Sequence, residues 1–156
     1  MTRTISYRNL PLRLLQAREV VLAHFRPILS HFGLTEQQWR VIRAIGENGE
    51  AEPRELAEIC RILGPSLTGI LSRMEETGLV HRTRMVEDQR RVLVRLTEKS
   101  ERLVATILPL IDEQYRLLED AYGHDIIADL YAVTDRLLRL ATVAVPSVRL
   151  DGEVEP

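Results

Sequence analysis

The chain of 156 residues is 45% hydrophobic and 28% charged, with a formal net charge of −2. That length suits one domain, or a small domain with arms, and the apolar fraction excludes wholesale disorder. No uncharged apolar run approaches the roughly 18 residues of a membrane span, the N-terminus lacks the apolar core of a signal peptide, and the single cysteine, Cys60, cannot form an intrachain disulfide. The expectation is a soluble cytoplasmic protein.

The basic residues are 20 Arg and one Lys, Lys99. A GC-rich genome alone produces such a bias. A near-neutral total also speaks against nucleic-acid binding, which needs positive charge to neutralise phosphates. The total, however, is silent on where the charge sits.

Proline and glycine divide the chain into helical blocks. From about Leu10 to His31, Leu10, Leu14, Ala17, Val21 and Phe25 recur at three- and four-residue intervals and predict one amphipathic helix. Pro27 should kink its end, and Gly33 should stop it in the left-handed conformation. Thr35 to Gln38 reads as a capping box opening a helix that carries Trp39, Ile42 and Ile45 and closes near Asn48-Gly49. Glu52-Pro53 starts a short helix, Arg54 to Arg61, burying Leu56, Ala57 and Cys60. Gly64-Pro65 opens the next, with Leu67, Ile70, Leu71 and Met74 as its apolar face and Gly78 at its end.

Residues Leu79 to Leu96 break the helical pattern. Val80 and the alternating Val92 to Leu96 predict two strands joined by a polar segment, Met85 to Arg91. Thr97 then caps a long helix to about Tyr122, with Pro109 predicting a kink, and Gly123 ends it. A last helix spans about Ile126 to Val143, before a short acidic tail. Helix, turn, helix and hairpin in this order make a mainly α fold of the winged helix-turn-helix type, about six helices plus a β-hairpin.

The helix from Pro65 to Thr77 has the profile that major-groove entry requires. Opposite its apolar face stand Pro65, Ser66, Thr68, Gly69 and Ser72, small enough for close approach, and then one long cation, Arg73. An ordinary amphipathic surface helix would look much the same, so the hairpin decides. From His81 to Arg95 five Arg stand against two acids, Glu87 and Asp88, a local excess of +3. Such a hairpin can place guanidinium groups in a minor groove. Arg82, Arg84, Arg90 and Arg91 are its candidate contacts, with Asp88 orienting Arg90. The plainer alternative is a solvated, charge-protected sheet edge.

Four segments together resemble the MarR family of bacterial winged-helix regulators: Leu34 to Val41, Glu55 to Ala57, Met74 to Val80 and, most strongly, Glu87 to Lys99. The match runs in order over about residues 10–143. Leu10 to Glu19 and Cys60 to Thr68 further resemble its HpaR subgroup, regulators of homoprotocatechuate (hydroxyphenylacetate) degradation. Ser100 departs from the glycine of many members.

The resemblance implies an intertwined homodimer, with dimerisation helices at 8–33 and 98–145, a DNA-binding domain at 34–97 and a flexible tail at 146–156. It implies repression at a roughly palindromic operator, relieved by a phenolic or aromatic acid effector, with no cofactor. A surplus of apolar residues in both terminal blocks independently calls for a partner chain. Arg13, Arg18, His24, Trp39 and Arg43, on the first two helices, are the candidates for holding an aromatic carboxylate by an arginine fork and a stacking ring. Each could equally be a surface ion pair or, for Trp39, core.

The alternative within the family is a redox or stress sensor, but Cys60, flanked by Ile59 and Ile62, reads as a buried inert thiol. His24, His31, His81 and His124 are too scattered for a metal site. No phosphate loop, nucleophile elbow or paired-His motif suggests an enzyme.

Overall fold

The computed structural model describes residues 8–85 and 91–148. The elements are α1 (Leu10–Leu22), α2 (Arg26–His31), α3 (Glu36–Asn48), α4 (Pro53–Cys60), α5 (Gly64–Glu76), β1 (Val80–Arg84), β2 (Val92–Leu96), α6 (Glu98–Tyr122) and α7 (His124–Arg139), followed by a 3₁₀ turn at Leu140–Thr142. One compact unit ends at Arg116 and a second begins at Leu117, so α6 contributes to both.

The first predicted helix is in fact two. Proline has no N–H to donate, and its ring collides with the carbonyl four residues back. For Pro27 that residue is Ala23, and α1 ends at Leu22. Pro27 then occupies the first turn of α2, where a missing N–H costs nothing. Glu19 bridges the break by pairing with Arg26, whose hydrogen bond holds the carboxyl below the usual glutamate range. The apolar stripe of this block faces no core of its own chain. No residue of α1 is buried, and Leu10 and Leu14 are exposed. Of that set only Phe25, beyond the helix, is buried, with its ring centroid 4.6 Å from that of Tyr115.

From Gly33 onward the expected elements are found. Gly33, Gly49, Gly78 and Gly123 all take positive φ at helix ends. The Thr35 hydroxyl accepts from the Gln38 N–H at 3.2 Å, and the Gln38 side chain accepts from the Thr35 N–H at 2.8 Å, completing the capping box. The core lies where α3, α4 and α5 meet β2. Ile42, Ile45, Leu56, Leu67, Leu71, Met74 and Val94 are shut off from solvent. β1 and β2 pair antiparallel with Val80 opposite Leu96 and Arg84 opposite Val92. One pairing had no sequence signal: Ala51 exchanges two hydrogen bonds with Val94 (3.2 and 2.9 Å), an isolated antiparallel bridge onto the middle of β2.

The end of α5 is tied to the start of α6. The Thr97 hydroxyl donates to the Gly78 carbonyl at 2.7 Å, and the Lys99 ammonium to the Thr77 carbonyl at 2.7 Å. Ser100 is fully buried and its hydroxyl donates to the Leu79 carbonyl, which explains how a polar residue sits at a position the resemblance associates with glycine. α6 continues uninterrupted through Pro109. Among the described residues no helix is long and apolar enough to cross a membrane.

Candidate nucleic-acid interface

α5 turns its apolar face inward through Leu67, Ile70, Leu71 and Met74. That leaves Pro65, Ser66, Thr68, Gly69 and Arg73 exposed, and Ser72 half-buried. The helix has no side-chain cap at Leu63, so the first-turn N–H groups stay available to solvent or an anion. The Thr68 hydroxyl donates back to the Gly64 carbonyl at 3.1 Å, which leaves its lone pairs as acceptors.

The hairpin's polarity follows from its register. Cross-strand partners share a face, so Val80, Arg82 and Arg84 lie on the same side as Leu96, Val94 and Val92. The base of that face is buried through Val80 and Val94. Arg82, one step out, is held by Glu75 of α5. The carboxylate accepts from the Arg82 main-chain N–H at 3.2 Å and from Nε at 2.8 Å, with Nη2 also in contact. Arg84, further out, is exposed. It and the Arg73 guanidinium make no hydrogen bond or ion pair among the described residues. Arg91 reaches Glu52 through Nε at 2.7 Å, and Arg95 pairs with Glu50. Asp88 and Arg90, and with them the expected Asp88–Arg90 pair, lie outside the described residues.

The Arg82 hydrogen bond holds the Glu75 carboxyl below the usual glutamate range. A depressed folded-state value means that the pair stabilises the fold at pH above the ordinary glutamate value and is lost as pH falls through the lowered one. Glu75→Gln is therefore expected to flatten the acid side of a plot of Tm against pH, with little change near neutrality beyond a constant offset.

The five candidate effector residues lie on or next to α1 and α3. Trp39 is buried at 8% exposure. Arg13 and His24 are exposed. Arg43 pairs with Glu47 at 2.9 Å, and Arg18 with Glu19 at 2.7 Å and with Glu36 of α3. An open apolar groove of about 390 Å³ lies elsewhere, between Pro27, Ile28, His31 and Phe32 on one side and Leu110, Glu113 and Gln114 on the other, and none of the five lines it. Among the described residues no three His, Cys, Asp or Glu side chains are grouped as metal ligands.

The MarR family model matches residues 32–91, which hold the helix-turn-helix and β1 and stop just before β2. Over 138 residues the chain is 41% identical to the HTH-type transcriptional regulator FarR of Neisseria gonorrhoeae, covering 84% of this chain and 94% of FarR. The chain belongs to the MarR family. It is also 37% identical to the homoprotocatechuate degradative operon repressor of Escherichia coli, over 93% of this chain and 98% of that one. Among solved structures, NadR in complex with 4-hydroxyphenylacetate superposes with a TM-score of 0.75 at 40% identity, covering 92% of this chain and all of NadR. The repressor CouR bound to a 23-mer DNA duplex superposes with a TM-score of 0.76 at 26% identity, covering 83% and 92%. The winged helix-turn-helix expected from the sequence is thus the fold of this MarR-family chain.

Sequence reasoning missed the three carboxylates that hold the hairpin. Glu75 lies seven residues from Arg82, Glu52 thirty-nine from Arg91 and Glu50 forty-five from Arg95. Only the first falls in a window where a pairing could have been sought.

Proposed function

We propose that the protein is a dimeric repressor of an aromatic-acid catabolic operon, such as one for homoprotocatechuate or hydroxyphenylacetate degradation, and that a small phenolic acid releases it from a roughly palindromic operator. The observation that carries the reading is the exposed polar face of α5 beside a hairpin bearing Arg82, Arg84, Arg91 and Arg95. The kinship with NadR, crystallised with 4-hydroxyphenylacetate, supports the effector class. The kinship with the homoprotocatechuate operon repressor supports the operon. In this reading residues 34–97 engage DNA and 8–33 and 98–145 join two chains in the cytoplasm, with no catalytic role.

Support for the dimer comes from apolar surface within each terminal block. α1 exposes Leu10, Leu12, Leu14 and Leu15, while α7 exposes Ile126, Tyr131, Val133 and Leu138. Leaving so much aliphatic surface in water is unfavourable by about 25 cal/mol per Å², and a second chain is the economical cover. Cys60 gives no support to redox sensing. It is 4% exposed, and burial pushes its thiol up, away from the reactive thiolate.

The deciding experiment is a gel shift on the duplex upstream of the protein's own gene, repeated with 4-hydroxyphenylacetate. Binding that the acid reverses supports the reading, and an intact dimer that fails to bind at low salt rejects it. Within it, Arg84→Ala should weaken binding and lower the slope of log K against log salt by about one, as for a lost phosphate contact. An unchanged slope would place this arginine off the DNA.

A further inference from the structure

A line of ion pairs and hydrogen bonds outside the interface connects α1 to the turn that precedes α5. Arg18 of α1 pairs with Oε1 of Glu36, in the first turn of α3. The same oxygen lies 3.7 Å from Nη2 of Arg40, one turn further along. Arg40 donates through Nη1 to the main-chain carbonyl of Cys60 at 2.7 Å. Cys60 is the last residue of α4, and Arg61 after it takes a left-handed φ of 50° to start the turn into α5. A guanidinium on the last carbonyls of a helix satisfies groups that the helix itself cannot.

One detail separates this from a simple helix cap. Nε of Arg40 is buried and has no hydrogen-bond partner among the described residues. An unmet buried donor is costly, so the guanidinium is held in place by what its other two nitrogens bind, Glu36 and Cys60. At the opposite end Arg18 is 44% exposed and already shared with Glu19. It is the accessible end of the line.

We propose that Glu36 and Arg40 are positioning residues that transmit the state of α1 to the turn in front of the recognition helix α5. An anionic ligand, or a shift of α1, that draws Arg18 away leaves Arg40 as the cation nearest the Glu36 carboxylate. The 3.7 Å gap then closes at the expense of the contact with the Cys60 carbonyl, and the turn loses its anchor. The proposal rests on the regulator reading above and supplies the route by which an acid at Arg18 would alter the grip on DNA.

The test is a double-mutant cycle on the full-length protein, read as affinity for the upstream duplex by fluorescence anisotropy. Arg18→Gln and Arg40→Gln should depart from multiplicative behaviour by at least about threefold, although the two side chains share only Glu36. The departure should vanish when Glu36→Gln is already present. A merely structural role would couple the two side chains in Tm alone, through their shared Glu36, and leave the effects on affinity multiplicative. Should Arg40→Gln fail to fold, Arg40→Lys keeps the charge toward Glu36 and serves in its place. Independent effects on affinity in a wild type that binds the duplex overturn the relay alone. A wild type that does not bind overturns the regulator reading and the relay with it.

Discussion

Gly69→Glu is expected to abolish operator binding while leaving the fold intact. Gly69 sits on the exposed face of α5, and a Cβ added there would meet nothing within 4 Å. In a helix interior, glycine is less favourable than glutamate by about 0.5 kcal/mol or more, so the unbound protein should be slightly stabilised. If α5 meets DNA as proposed, the new carboxylate faces phosphates and base edges. Like-charge juxtaposition of this kind costs several kcal/mol, on the order of 10²- to 10³-fold in affinity. Anisotropy with the upstream duplex and a thermal melt read the two halves separately. Retained binding would mean that this face of α5 does not approach DNA.

Leu56→Ala is expected to be the most damaging single change to stability. Leu56 is fully shielded on α4, at the junction of α3, α5 and β2. Removing a buried leucine side chain loses its transfer free energy and leaves a cavity, together about 2–5 kcal/mol, against a total that is typically about 5–15 kcal/mol. A urea titration at fixed protein concentration should show a lower midpoint with an unchanged slope. DNA binding should fall only under conditions where the unfolded fraction becomes appreciable.

From Thr35 to Leu96 the architecture was legible in the sequence because local rules and tertiary packing agree. The capping box of Thr35 and Gln38, Pro65 in the first turn of α5 and Gly78 after it each favour locally what the core requires. The break between α1 and α2 is hidden in the sequence because the periodicity of Leu10, Leu14, Ala17, Val21 and Phe25 runs straight across it. Pro27 signals a disturbance in the sequence, but its steric effect falls four residues upstream, at Ala23, so the break precedes it. At the candidate interface the residue types on α5 could be foreseen from their helical spacing. The partners of the hairpin arginines could not. Glu50 and Glu52 approach Arg95 and Arg91 because Ala51 pairs with Val94, a contact between residues forty-three positions apart.

Those carboxylates change what the near-neutral charge of −2 means for a protein living among long polyanions. Arg82, Arg91 and Arg95 are each engaged by a glutamate of the same chain. A phosphate that recruits one of them must first displace that carboxylate, so part of the attraction that any duplex would offer is cancelled in advance. Random DNA has only its backbone to offer in the exchange, whereas in the proposed reading an operator also fits the face of α5. The cost of displacing the carboxylates is common to both modes and cancels in their ratio, but it lowers the absolute strength of indiscriminate attachment. Against the roughly 10⁶–10⁹ competing sites of a genome, weaker indiscriminate attachment shortens each stay on a wrong sequence.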